Sequence, residues 1–483
     1  MIATVERDAL RDLASEALAR KDFGAFCGRF EPAYDSGAPH SRIMCEHLEA
    51  LDRGEIEMLA IFMPPQHGKS FHVSENFPAW WIGRREMLGG KTNVAITSYG
   101  AHKAYDYSRK SRQKLADRLN PFDSAVDKKS SAVDLWSTVN GSQVIAGGVG
   151  GPLTGFGANL LIIDDPVKDA IEAFSEVDRE SKWQWYLRVA RTRLRRGARR
   201  LLCQTRWHED DLAGRILNSA AAKRWTVLTL EARCTDTEKD PLHRQVDEVL
   251  WPLGPEIPTP GDGETSTRVY AAMYQQNPTP DDGTIFKRQW FNKRYTELPE
   301  NLKRAAFYVD GAWKGREPGQ SKTAEQGISG SRSAIAVWAT DDIDYYLVYA
   351  WADRVEYPEL RSKVPDVYYG FRSIAPVFTP CVEDAASGIP ILQELRRSTS
   401  IPFIGVKVDT SKIVRAEAQT ALFEAGKVLL PEEAPWLDMW IEEHVKFPGG
   451  KTNDLVDTTS GALARLRGGG GGFGFGSAGG KRR

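Results

Sequence analysis

Cysteine is scarce and scattered. Cys27, Cys45, Cys203, Cys234 and Cys381 are the whole complement, odd in number and without a CxxC pair. Neither a disulfide framework nor a zinc knuckle follows, and a reducing cytoplasm is the expected setting. Long apolar runs are missing as well. None approaches the roughly 20 residues that a membrane span needs, so no membrane role is expected. There is no excess of either charge: 64 Lys+Arg stand against 65 Asp+Glu, a net charge of −1. That excludes a uniformly basic nucleic-acid binder but leaves room for local basic surfaces. No internal repeat is visible. The opening text MIATVERDALRDLASEALARKDF carries acids among its apolar residues, as an amphipathic helix does and a signal peptide does not.

What is present fits a globular α/β chain of two or three domains, with 483 residues of which 41% are hydrophobic. Residues 1–50 read as helical. Four short apolar runs, MLAIFM at 58–63, NVAITSY at 93–99, NLLIIDD at 159–165 and RRLLCQT at 199–205, read as buried strands. Charge-rich stretches between them, 101–118 and 170–196, read as helices, and the alternation predicts a mostly parallel sheet covered on both faces. Turn residues gather from Asp236 to Asp282, and the second cluster, QQNPTPDDG, marks a boundary. Beyond it RAAFYVDGAW predicts a strand ending in an acid, SAIAVWATDDIDYYLVYAWADRVEY a hairpin, and APVFTPCVEDAASG a further strand ending in acids. Helices follow around 385–397, 412–425 and 453–466. The expected divisions are 1–280, a linker at 281–300, a second α/β unit at 301–467, and a mobile glycine-rich tail at 468–483.

Gly-Lys-Ser/Thr, the kernel of a phosphate-binding loop, occurs at Gly68, Gly90 and Gly450. Such a loop must leave a strand and open a helix, whose first N–H groups and dipole hold the phosphates. Only Gly68-Lys69-Ser70 has a strand before it and a helix after it, although Met63 stands where the full pattern asks for glycine. The strand NLLIIDD ends in Asp164 and Asp165. Facing a phosphate loop, the first acid would hold the Mg²⁺ water shell and the second would orient the attacking water, with Lys69 on the β- and γ-phosphates and Ser70 on Mg²⁺. A third strand ends in Gln204-Thr205-Arg206. There Arg206 is either a sensor of the γ-phosphate or a surface partner of Glu209 or Asp210, and His208 reads as a structural hydrogen-bonder.

A second set of acids lies in the C-terminal half. Asp310 and Glu383 end strands, while Asp454 and Asp457 are three apart at a helix start and share one face. Converging acids repel unless cations neutralise them, which suits a two-metal phosphodiester site. The alternative is that each is a solvated or capping acid. Between Ser181 and Arg200 the text SKWQWYLRVARTRLRRGARR has eight basic residues and no acid, with aromatics interleaved. It reads as a helix gripping a phosphate backbone or as a solvated face. Arg109 and Arg112 are exposed candidates for an arginine finger.

In this order the motifs resemble the large subunit of tailed-phage terminases, over residues 35–467. MPPQHGKS is similar to that family's deviant phosphate loop, in which paired prolines replace the opening glycine. NLLIIDDPVKDA resembles its acidic strand end, LLCQTRWHEDDLAGRI its coupling motif, and YAAMYQQNPTPDDGTIF the segment between motor and nuclease. FYVDGAWK, CVEDAASG and NDLVDTTSGA resemble the elements carrying the nuclease acids. The resemblance implies a P-loop ATPase domain of the strand-catalytic-acid (ASCE) type, followed by a nuclease domain with the RNase H-like fold. It assigns Gln66, His67, Gly68, Lys69, Ser70, Asp164 and Thr205 to ATP, with Ser70 and Asp164 on Mg²⁺ and Asp165 as catalytic acid. Asp310, Glu383 and Asp454 become catalytic acids holding two Mg²⁺ or Mn²⁺, with Asp457 in reserve.

Three departures stand out. Gln66 replaces an arginine common in relatives, which makes a neighbouring subunit the donor of the arginine finger. Asp165 is one methylene shorter than the glutamate of other branches. Asn453 replaces an aspartate, which is why the third nuclease position goes to Asp454. The resemblance further implies double-stranded DNA, the portal protein of a procapsid, a small terminase subunit and a homo-oligomeric ring. Action in the host cytoplasm and at the portal vertex, outside the mature virion, goes with it. Two rivals remain: a helicase-type repair ATPase-nuclease, and a structural DNA-binding or capsid-docking protein.

Overall fold

In the computed structural model the described residues are 2–31, 33–35, 37–151, 153, 155–278, 285–311, 332–355, 357–384, 388–408 and 410–468. Contacts divide the chain into two units. One is Met1–Pro258 with Arg268–Pro280, the other Thr259–Thr267 with Asp281–Arg483.

The first unit is built on β1 (Met58–Phe62), β2 (Asn93–Ser98), β3 (Val126–Ser131), β4 (Leu135–Thr138), β5 (Gln143–Gly148), β6 (Ala158–Asp164), β7 (Leu194–Gln204) and β8 (Trp225–Thr229). They form one sheet in the order β3-β4-β5-β2-β6-β7-β1-β8. From β5 to β8 every pairing is parallel; at the other edge β4 alone runs against the sheet, pairing antiparallel with both β5 and β3. β1 is buried along its whole length, and its residues alternate between two cores. Leu59 and Ile61 join one, while Met58, Ala60 and Phe62 join the other. A strand covered on both faces reads as a continuous apolar run, which is why MLAIF was legible. β7 lies between β1 and the acid-ending β6, and this intervening strand is the mark of the ASCE class of P-loop fold.

Two expectations are revised. The stretch 170–196 is not one helix: helices Ala170–Phe174 and Glu176–Trp185 give way to a π turn at Tyr186–Ala190, a 3-10 turn at Arg191–Arg193, and then β7. Pairing of Leu194 with Ala158 on β6 draws LRRGARR into the sheet, and Gly197 takes a positive φ of 76° inside it. The helix after the phosphate loop also opens irregularly, as a π-helix over Phe71–Asn76 before the α-helix Phe77–Met87. Pro78 has no N–H with which to bond back to an earlier carbonyl, so a regular α-ladder cannot run through this junction.

The second unit holds β9 (Arg294–Tyr295), β10 (Arg304–Asp310), β11 (Ser333–Thr340), β12 (Tyr345–Asp353), β13 (Val377–Glu383), β14 (Ile404–Val406) and β15 (Val428–Pro431). Their order is β14-β13-β10-β11-β12-β15-β9. β10, β11 and β12 form an antiparallel meander, and β13 and β14 add in parallel on the other side of β10. A central first strand, an antiparallel second and parallel fourth and fifth strands make this sheet RNase H-like. Helices Lys412–Glu424, Leu437–Lys446 and Asp454–Arg467 belong to this unit. Ala306 and Tyr308 of β10 join one core, while Phe307 and Val309 join the other.

Residues 285–300, expected as a linker, are part of this unit. Phe286 and Phe291 are buried in its core, and β9 pairs with β15. Two buried aromatics hold a segment more firmly than its turn-rich approach suggests. Residues 281–284 of the expected linker, 385–387 of an expected helix, and 469–483 of the glycine-rich tail lie outside the described residues.

Candidate functional site

The loop from Met63 to Ser70 leaves the carboxyl end of β1 between two strands of the same direction, where crevices form in parallel α/β sheets. Gln66 and Gly68 have φ of 61° and 87°. Glycine reaches that region without penalty, whereas Gln66 is held there against its preference. Lys69 is buried, and its Nζ donates to Thr205 Oγ1 at 2.7 Å and to the carbonyls of Met63 and Pro64 at 3.1 Å each. Tyr107 Oη donates to Ser70 Oγ at 3.0 Å.

At the end of β6, Asp164 Oδ2 accepts from Ser74 Oγ at 2.6 Å, while Oδ1 is buried without a donor. Burial, with Asp165 adding, pushes the Asp164 carboxyl up to about 7. Asp165 has a φ of 42° and accepts the Thr205 backbone N–H on Oδ1 at 2.9 Å. A cleft of about 370 Å³ runs over Gln66, Gly68, Lys69, Ser70, Asp165 and Thr205. One orphaned carboxylate oxygen with a raised acid beside a lysine and a hydroxyl is a donor set that suits a hard divalent cation and a polyphosphate.

Not every expected residue meets this cleft through its side chain. The His67 ring is buried, bonds the Pro65 carbonyl through Nδ1 at 2.7 Å, and packs edge-on to His40 and Trp251. Its contribution to an anion is therefore limited to its backbone. Arg206 is neither exposed nor paired with Glu209 or Asp210 side chains. It is buried, and its Nε donates to Asp211 Oδ2 at 2.9 Å, an oxygen that also accepts from Gln204. His208 Nδ1 accepts the Asp210 backbone N–H.

The basic stretch is divided among helix end, turn and β7, so it presents no single helical face. Lys182 pairs with Glu172, Arg195 and Arg196 are exposed, and Trp185 and Tyr186 are core residues. Arg109 pairs with Asp106 at 3.0 Å within its helix.

In the second unit the acids do meet. Val309 pairs with Val382 in register, so Asp310 and Glu383 end adjacent parallel strands side by side. The helix Asp454–Arg467 lies against β10 at Gly461, where any Cβ would fall 2.3 Å from the Tyr308 ring. This close approach brings Asp457, one turn earlier, over the strand ends. Burial pushes the Asp310 carboxyl up to about 8, and Glu383, Asp457 and Asp454 raise it in that order while Lys412 opposes them. Asp457 is thus more strongly coupled to Asp310 than Asp454 is. Asp454 sits nearer Glu443, which accepts the Leu455 N–H at 2.6 Å and pairs with Arg332.

Sequence reasoning misses two cations here. Arg415 is 3% exposed and spans Glu383 Oε2 at 3.3 Å and Asp457 Oδ1 at 2.7 Å. Lys412 Nζ pairs with Asp457 Oδ2 and donates to Asn453 Oδ1 at 2.8 Å. A signal was available: both lie in the opening turns of a helix capped by Ser411, where the dipole disfavours positive charge unless acids face it. Among the described residues no group of three or more His, Cys, Asp or Glu is arranged to hold a metal ion. Arg415 and Lys412 already lie on the acids expected to meet there. Asp310 and Glu383, hard oxygen donors with the former raised by burial and then by like charge, suit a divalent cation.

No family model matches the chain, and no curated protein does. Among solved structures, the large terminase of the thermophilic bacteriophage D6E in complex with ATP-gamma-S aligns over 85% of this chain and 94% of its own, at 12% identity and a TM-score of 0.45. The chain is similar in fold to large terminases. That of bacteriophage HK97 aligns over 86% of this chain and 93% of its own, at 9% identity and a TM-score of 0.30. The human cytomegalovirus terminase nuclease domain covers 37% of this chain and 92% of its own, at 12% identity and a TM-score of 0.29. No helix among the described residues is long and apolar enough to cross a membrane.

Proposed function

We propose that the chain is a viral DNA-packaging motor of the large-terminase kind, an ATPase joined to a metal-dependent endonuclease. The observation that carries this reading is the pairing, in one chain, of an ASCE sheet with Lys69, Asp165 and Thr205 at a single cleft and an RNase H-like sheet whose strand ends bring Asp310 and Glu383 together. ATP would lie over the loop 66–70, with Ser70 and Asp164 holding Mg²⁺, which supplies charge neutralisation at the phosphates when bound. Lys69 leaves its neutral acceptors for the phosphate oxygens. Asp165, fixed by the Thr205 N–H, orients the water.

In the second unit Asp310, Glu383 and the Asp454–Asp457 face would hold a divalent metal, which would supply activation of water for phosphodiester cleavage. The family pattern is two Mg²⁺ or Mn²⁺. Double-stranded DNA is the substrate of both units, and a ring of copies docked with portal protein and small subunit in the host cytoplasm is the working assembly. The test is triplex displacement on long duplex DNA with ATP, alongside plasmid cutting. Displacement of a third strand without separation of the duplex, together with cutting, supports the reading. Robust strand separation favours a helicase-type repair nuclease instead, and absence of ATP turnover and cutting favours a structural protein.

A further inference from the structure

The acid cluster of the second unit already contains its own cations, and they differ in kind. Arg415 is buried and spans two carboxylates, as a fixed structural tie does. Lys412 is different: its side chain keeps 43% exposure while its ammonium lies on Asp457, and its charge acts on both Asp310 and Asp454. It is therefore within reach of solvent and of a bound phosphodiester, on the acids that would face one. Its second partner, Asn453, offers an acceptor oxygen without a charge.

The charge count bears on the metals. Among the described residues four carboxylates, Asp310, Glu383, Asp454 and Asp457, face one ammonium and one guanidinium, with Arg332 offset by Glu443. That leaves two negative charges once the proton that burial favours on Asp310 has been displaced. One divalent cation balances them; a second would have to displace Lys412 or stand beside it at a repulsion that grows steeply in a partly buried site.

We propose that the Lys412 ammonium serves as the second cation of this cluster, so that the site takes one divalent ion, at Asp310 and Glu383. The inference rests on the nuclease reading above and narrows it. Lys412 keeps its three protons throughout; its part is to place fixed positive charge on the phosphodiester while Asp457 and Asn453 hold it in position.

The test counts bound Mn²⁺ by electron paramagnetic resonance on the full chain without nucleotide, taking as the nuclease ion only what Asp310→Asn abolishes. Wild type and Lys412→Arg are expected to bind one such ion per chain, and Lys412→Met, which keeps the apolar stem, is expected to bind two. The cutting rate should likewise change from first to second order in Mn²⁺ in Lys412→Met. Two Asp310-dependent ions in wild type, or one in Lys412→Met, overturn the proposal. Complete absence of Asp310-dependent Mn²⁺ in every protein overturns the metal-nuclease reading itself, and this inference with it.

Discussion

In the first unit the acids are consecutive where one strand ends, Asp164 and Asp165, and the lysine of the centre touches only neutral oxygens: two backbone carbonyls and the Thr205 hydroxyl. In the second unit the acids arrive on three elements, and both cations lie directly on carboxylates. The difference teaches how each centre waits for its ligand. An ammonium parked on neutral acceptors loses little when a phosphate draws it away, and an orphaned carboxylate stays open to the cation that accompanies the phosphate. Where cations already sit on acids, the protein has supplied part of the counter-charge itself, and less is left for metal ions to do.

The largest effect that would break this contrast concerns stability. Arg415→Ala leaves Glu383 and Asp457 without their shared partner in a buried place, and is expected to cost about 3–5 kcal/mol. Lys69→Ala removes charge-assisted bonds to neutral groups only, at about 1.5–3 kcal/mol. Urea unfolding of the two variants measures both, and equal costs would remove the distinction. Activity is expected to separate along the same line. Lys69→Ala should lower ATP turnover about 10²–10³-fold with plasmid cutting preserved, and Asp310→Asn should do the reverse, each near 2.7–4 kcal/mol of lost transition-state stabilisation. Loss of both activities in either variant would mean that the centres are not separate.

A smaller effect sharpens the comparison through pH. Burial lowers His40 and His72 to about 4 and lowers His67 too, all in the first unit. A histidine held neutral supports the fold fully above its unfolded value near 6.5. That support is lost as pH falls, at about 1.4 kcal/mol per unit per group. The second unit has one such residue, His444, lowered to about 3. Its raised acids act oppositely: Asp310 at about 8 and Asp457 at about 6 bind protons in the folded state that the unfolded chain releases, so their cost shrinks on acidification. Asp164, raised to about 7, and Asp211 and Glu49, raised by burial, offset part of this loss in the first unit. Hydrogen exchange on metal-free protein between pH 7 and 5 should show the first unit losing protection while the second holds or gains it. The reverse order would contradict the burial assigned to these histidines.

How much of this was legible follows from where the signal is local. β1, β2, β6 and β10 were readable because buried strands are continuous apolar runs with turn residues or acids at their ends. Lys69, Asp164, Asp165, Asp310 and Glu383 were readable because each ends or follows such a strand. The extended conformation of 194–200 was not, because an arginine-rich segment becomes a strand only through pairing with β6. Phe286 and Phe291 hid behind a turn-rich approach that looked like a linker. Lys412 and Arg415 escaped because a cation's partner is set by the packing of three elements, not by its neighbours in the chain. His67 looked like a ligand from its place in the loop, whereas its bond to the Pro65 carbonyl and its edge-on packing with Trp251 and His40 hold the ring away.

The smallest effect tests how the two centres are anchored. Asp310 and Glu383 stand on ordinary strands, whereas the phosphate loop holds Gln66 at a φ of 61°, a region that costs a side chain about 1–2 kcal/mol. Gln66→Gly removes that strain but gives the unfolded chain more freedom to lose, about 0.4–1 kcal/mol, so the net gain in stability should stay at or below about 1 kcal/mol. The Gln66 side chain also lines the cleft, and its removal should raise the KM for ATP a few-fold with kcat little changed. A clear loss of stability in Gln66→Gly would mean that the side chain holds the loop in place rather than tolerating its shape. The first centre would then be fixed by side-chain contacts like the second, and the contrast between them would narrow to the placement of their cations.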